Sequence, residues 1–242
     1  MSATSETDAH ILLADIGGYT RFLHENAVSL RHANYIVSEL LAAVMRRAEV
    51  PVRVEKLEGD AVLFVAPTDP SGVGEAGVRR SIFGFPAAFY RRRAELMSHN
   101  TCQCEACTGI GRLDLKVVGH YGRVLRYRLN RFDELAGIDM VIAHRLLKNS
   151  VEASRYLLLT EAAWQRLKPD YDLPVLSHVE ICEGVGEVPV VVLEGPPATP
   201  EAPPKASIPH RLADFVVKHL ILLPFGKALA RRAVTREAAI RR

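Results

Sequence analysis

Residues 11–20, ILLADIGGYT, and their echo at residues 54–65, VEKLEGDAVLFV, decide how this chain is read. Each is an apolar run that meets an aspartate beside glycine: Gly17 and Gly18 follow Asp15, and Gly59 precedes Asp60. Short runs rich in branched and aromatic apolar residues predict buried strands, and the glycines predict the turns that end them. A strand that delivers a carboxylate to a glycine turn presents an acid to a divalent cation, and two such strands suggest a shared-metal site for phosphoryl chemistry. The competing reading is local, since an aspartate at a strand end also caps helices and forms turns.

Working outward, residues 19–27 can start a helix after the glycines. Ala33, Ile36, Val37, Leu40, Leu41 and Val44 then recur at helical spacing until Pro51. Residues 52–56 and 61–66 read as an antiparallel pair turning at Glu58-Gly59-Asp60. A long helix is predicted over residues 76–98, with Pro86 expected to bend or split it. Residues 113–119 and 124–129 read as two strands flanking His120-Tyr121-Gly122, taken as a hairpin. A helix over 137–148, a strand over 156–160, a short helix over 161–167 and a closing hairpin over 175–182 and 188–193 complete an α+β order of helices on a mainly antiparallel sheet.

The chain has 242 residues, 48% of them hydrophobic and 24% charged, enough for one substantial core. No long uncharged apolar run and no basic-then-apolar start is seen, which sets the expectation of a cytoplasmic protein. The net charge of +3 is unevenly placed. From His210 onward there are eight Lys or Arg against Asp214 and Glu237, which leaves the body mildly acidic and argues against nucleic acid as a partner. Six prolines between residues 195 and 209 predict an extended linker. The expected organisation is therefore a domain over 1–195 with a Cys-rich insertion at 99–108, a Pro-rich linker at 196–209 and a basic amphipathic helical tail at 210–242. That tail, with Leu212, Phe215, Val216, His219, Leu220 and Leu223 at helical spacing, suits an anionic membrane surface, a partner protein or a sister subunit.

Asp15-Ile16-x-Gly18-Tyr19-Thr20 resembles the first metal motif of class III nucleotidyl cyclase catalytic domains, and Lys56-x-x-Gly59-Asp60-Ala61 resembles the second. Within that superfamily the chain is most similar to a bacterial cyclase-like family of unknown function, DUF2652. The resemblance implies a ferredoxin-like cyclase homology domain over most of the chain and a head-to-tail homodimer. It implies a nucleoside triphosphate held with Mg²⁺ or Mn²⁺ by Asp15, Asp60 and the Ile16 carbonyl, and a 3′,5′-cyclic nucleotide and pyrophosphate as products. Lys56 falls where adenylyl cyclases read adenine, and as a donor it suits the N1 acceptor of that base, so ATP is favoured. An ordinary solvated lysine at a strand end is the alternative. Glu134 falls on the second base-reading position, one methylene longer than the usual aspartate. Residues 137–146, GIDMVIAHRL, resemble the helix carrying the arginine that steadies charge on the transferring phosphate, here Arg145.

Two departures weaken the catalytic reading. Val141 stands in place of the motif's asparagine, and Glu183-Gly184-Val185-Gly186 replaces a segment that elsewhere carries a phosphate-meeting lysine. Losing preorganised contacts costs electrostatic catalysis. Either Arg123 or Arg126 substitutes, or the domain is catalytically degenerate and acts as a nucleotide-binding regulatory or scaffolding module.

His99-x-x-Cys102-x-Cys104-x-x-Cys107 sets one imidazole and three thiols within nine residues. That density fits a structural Zn²⁺ knuckle, with Cys182 as an alternative fourth ligand. A redox-active or simply looped segment is the other reading.

Overall fold

The computed structural model describes residues 5–26, 29–68, 71–169, 174–195 and 207–222. Its strands form one sheet in the order β2-β3-β1-β4-β6-β8-β7, with β5 added to β4. These are β1 (Ser5–Gly17), β2 (Arg53–Glu58), β3 (Ala61–Pro67), β4 (Asp114–Leu129), β5 (Phe132–Ala136), β6 (Tyr156–Thr160), β7 (Leu176–Cys182) and β8 (Gly186–Glu194). Every pairing is antiparallel except β4 with β6.

β1 lies inside the sheet with β3 and β4 on its flanks, and its unbroken apolar run follows from burial on both faces. Leu12, Ala14 and Ile16 face a layer formed with α2 (Leu30–Arg46), α3 (Glu75–Ser98) and α6 (Glu161–Leu167). Ala9, Ile11 and Leu13 face the opposite layer, where α5 (Ile138–Arg145) contributes Met140 and Ala143. The two-residue side-chain period of the strand thus feeds two cores at once. α1 (Tyr19–Glu25) starts at Gly18, whose φ of 86° is open to glycine and strained for other residues.

α3 runs unbroken through Pro86, so the expected split does not occur. A proline inside a helix costs about 3 kcal/mol. Ile82, Phe85 and Phe89, all fully buried beside it, each return about 1.5–3 kcal/mol of burial free energy. Phe85 also stacks on Phe64 of β3, with ring centroids 4.9 Å apart. Packing outweighs the lost backbone bond.

The expected hairpin at His120-Tyr121-Gly122 is also corrected. β4 passes straight through these residues and pairs with β1 from Asp114 to Arg126; the chain turns later, at Asn130 with φ 56°, before β5. Gly122 is needed for close approach. A Cβ there would lie 2.2 Å from Asp139 Cγ, and Asp139 is fixed by the Arg123 backbone N–H at 2.8 Å and by His120 Nε2 at 2.8 Å. Gly122→Ala should therefore displace the start of α5 and destabilise the protein by about 1–3 kcal/mol, read as a lower urea midpoint with an unchanged slope.

Beyond the sheet, α4 (Glu105–Thr108) lies in the Cys-rich loop, and α7 (Ile208–Phe215) continues as wider π-type turns over Val216–Leu222. The helix starts within the expected linker, with Pro209 in its first turn, where a missing N–H costs nothing. This segment packs on its own domain against α2 instead of projecting as a free tail. Most of the expected linker, 196–206, and the basic stretch 223–242 lie outside the described residues. No helix among the described residues is long and apolar enough to cross a membrane.

Candidate functional site

Asp15 and Asp60 come together because β1 and β3 are neighbours in the register that pairs Asp15 with Ala61. The Ile16 N–H donates to the Asp60 carbonyl at 3.2 Å, which fixes the β2–β3 turn against the end of β1. Burial, then the neighbouring Asp60 charge, raises the Asp15 carboxyl from the ordinary 3.8 to about 6, with Lys116 opposing; burial raises Asp60 as well. Two half-buried carboxylates that resist joint ionisation are hard oxygen donors that a divalent cation would suit. Ile16 is buried, its side chain in the core and its N–H taken by Asp60, which leaves its carbonyl as the one group it could offer a ligand.

The raised acid has a stability consequence. Between pH 3.8 and about 6 the native state binds more protons than the unfolded chain, so metal-free stability falls as pH rises through that window and stays reduced above it. Asp15→Asn should be more stable than the parent above pH 6 by about 1–2 kcal/mol and lose that advantage below pH 4. Urea melts at pH 4 and pH 7 check the sign.

A separate cleft of about 800 Å³ opens between β2, β5 and α5. Lys56, Glu134, Val141 and Arg145 all line it; Asp15 and Asp60 do not. Lys56 Nζ donates to Glu134 at 3.3 Å, pairing a donor with an acceptor at the cleft wall. Arg145 Nη1 donates to Glu183 at 2.8 Å, although Glu183 is 90% exposed and holds it only loosely. Val141 adds an apolar surface, 43% exposed, where the resembled motif has an asparagine. The suggested substitutes lie elsewhere in the hydrogen-bond network. Arg126 is clamped by both oxygens of Glu55 at 2.6 and 3.0 Å, and Arg123 reaches Asp8 at 3.4 Å. Sequence reasoning missed Glu58 and His144 in this cleft, joined at 2.9 Å, because both fall on unspecified positions of the motifs around them.

The three clustered cysteines also converge, but with a different histidine. His32 of α2 brings Nδ1 to 3.3 Å from Cys104 Sγ, 3.5 Å from Cys102 Sγ and 3.6 Å from Cys107 Sγ. His99 instead stacks on His210, with ring centroids 4.8 Å apart, because it caps the end of α3 and faces α7. Cys182 is excluded as an alternative by its place in the core on the opposite face of the sheet.

The chain has the fold of class III nucleotidyl cyclase catalytic domains. The adenylyl cyclase CyaB of P. aeruginosa superposes with a TM-score of 0.57 at 15% identity, covering 79% of this chain and 96% of that one. The guanylyl cyclase Cya2 gives 0.55 at 12% identity, covering 79% and 92%. A class III adenylyl cyclase-like ATP-binding protein from Pseudomonas aeruginosa gives 0.51 at 17% identity, covering 67% and 35%. Residues 37–156 match the model described as "Protein of unknown function (DUF2652)". The "Uncharacterized protein Rv2561/Rv2562" of Mycobacterium tuberculosis (strain ATCC 25618 / H37Rv) is 31% identical over 170 residues, covering 68% of this chain and 78% of the relative. This chain belongs to the DUF2652 family.

Proposed function

We propose that the protein binds a nucleoside triphosphate, ATP in preference, together with Mg²⁺ or Mn²⁺, at a site completed between two head-to-tail copies of the chain, and forms from it a 3′,5′-cyclic nucleotide and pyrophosphate. The observation that carries this reading is the separation of the acid pair from the cleft that holds Lys56, Glu134 and Arg145. One protomer supplies Asp15, Asp60 and the Ile16 carbonyl as metal ligands; the other supplies the base-reading pair and the arginine.

When bound, the metal ions would lower the pKa of the ribose 3′ hydroxyl and neutralise the triphosphate. The chain's own residues do the positioning. Lys56 donates to an acceptor on the base edge while Glu134 accepts from an amino group, so the ion pair seen between them opens onto the base. Arg145 turns from Glu183 to the phosphate, where its fork of donors meets the charge on the transferring group. Exposed Leu57, Phe132, Ile138 and Ile181, on elements around the cleft, supply apolar surface for the second copy.

Val141 and the Arg145–Glu183 pair favour a second reading, a nucleotide-binding regulatory or scaffolding module with slow or no turnover. The similar ATP-binding protein noted above is a precedent in this fold for naming binding instead of synthesis. Incubating the protein with Mn²⁺ and each nucleoside triphosphate in turn, followed by mass spectrometry of the products and calorimetric titration of binding, tests both. A cyclic product supports the first reading, binding without consumption selects the second, and neither binding nor product overturns both.

A further inference from the structure

The thiols at the end of α3 are remote from the cleft and belong to a different piece of chemistry. His32 Nδ1 and the sulfurs of Cys102, Cys104 and Cys107 all lie within 4.8 Å of one another, and three of the four residues are buried. A tetrahedral zinc with Zn–N of about 2.0 Å and Zn–S of about 2.3 Å sets nitrogen-to-sulfur edges of about 3.5 Å. The three edges found, 3.3, 3.5 and 3.6 Å, already have that size. The far side of the imidazole is committed too: Nε2 lies 3.2 Å from the Lys218 backbone carbonyl, which can only accept, so the proton sits on Nε2 and Nδ1 presents its lone pair to the sulfurs.

That carbonyl belongs to the C-terminal helix, and a set of buried side-chain contacts of this helix runs to the same loop. Lys218, fully buried, donates to Asp214 at 2.7 Å and to Asn100 Oδ1 at 2.8 Å. Asp214 in turn accepts from the Thr101 N–H at 2.9 Å and the Thr101 hydroxyl at 2.8 Å. Asn100 is the hinge between the two parts. Its Oδ1 also accepts from the Cys102 N–H at 3.1 Å, and its Nδ2 donates to the Cys102 carbonyl at 2.9 Å. A buried ammonium and a buried carboxylate in a peripheral helix are tolerated only while that network stays intact.

We propose that His32, Cys102, Cys104 and Cys107 bind one Zn²⁺ in a closed structural shell, and that this ion clasps the C-terminal segment, residues 208–222, onto the domain. The ion fixes the loop conformation from which Asn100 and Thr101 hold Lys218 and Asp214, and it orients the imidazole that holds the Lys218 carbonyl. The segment leading to the basic stretch is thereby anchored by a metal, independently of any nucleotide.

The test uses the full chain expressed with zinc. Elemental analysis should give one zinc per chain, and replacement by Co²⁺ should give the intense visible bands of a tetrahedral thiolate site. His32→Cys, which keeps four ligands, should retain the ion; His32→Ala should lose it or bind it far more weakly; His99→Ala should leave the stoichiometry unchanged. Hydrogen exchange of residues 208–222 should accelerate at least about tenfold on metal removal while β1 amides stay protected. A metal-free protein with a disulfide between two of the three cysteines, or loss of the ion with His99→Ala but not His32→Ala, would overturn the site. Unchanged exchange over 208–222 after verified metal removal would overturn the clasp.

Discussion

Asp60→Ala is expected to abolish metal-dependent nucleotide binding, lowering affinity for Mn²⁺ with a nucleoside triphosphate by at least about 100-fold. Residues that merely orient a metal ligand cost 10–100-fold when removed, and Asp60 is proposed as a ligand itself. The effect should exceed any loss of folding, because Asp15 is raised first by burial and then by the Asp60 charge, and removing Asp60 relieves the second of these. Asp15→Ala should behave alike. Titration calorimetry with Mn²⁺ and a non-hydrolysable triphosphate, beside a urea melt of each variant, separates the two effects. Unchanged binding in a folded Asp60→Ala protein would remove the metal assignment altogether.

Mixing two dead variants should restore function. If Asp60→Ala lacks the metal half of the site and the double variant Lys56→Ala/Arg145→Ala lacks the other half, each homodimer has two broken sites. In a head-to-tail heterodimer both lesions fall in one site and the other is intact. Random re-association makes half the dimers mixed, so a 1:1 mixture should recover about one quarter of the parent activity, or of bound nucleotide per dimer if there is no turnover. A site contained within one chain would recover nothing. The separation of the acid pair from the Lys56 cleft in a single copy is the structural ground for expecting the quarter.

The strands around Asp15 and Asp60 were legible because a strand buried on both faces needs an unbroken apolar run, and the glycine turns punctuate it. Tyr156–Thr160 and Glu161–Leu167 were read at their observed bounds for a similar reason: five apolar or β-branched residues end at Thr160, whose hydroxyl caps the following helix. Pro86 and Gly122 misled. Each is a local signal for a break, yet Phe85 and Phe89 hold α3 through the first, and the second makes room for Asp139. Local propensity is a weak prior where buried packing competes with it.

By itself the sequence determined the α+β order, the pairing of two aspartates at strand ends, the positions of Lys56, Glu134 and Arg145, and the presence of a thiol cluster. All of these are carried by residues close in the chain or by motifs of fixed spacing. Only the tertiary structure decided which histidine joins the cysteines, that the helix at residues 208–222 docks on its own domain, and that Asp15 and Asp60 do not line the cleft of Lys56, Glu134 and Arg145 in one copy. His32 precedes Cys102 by seventy residues. Nothing in the sequence near it marks a ligand, because what brings it there is the packing of α2 against α3 and the loop that follows.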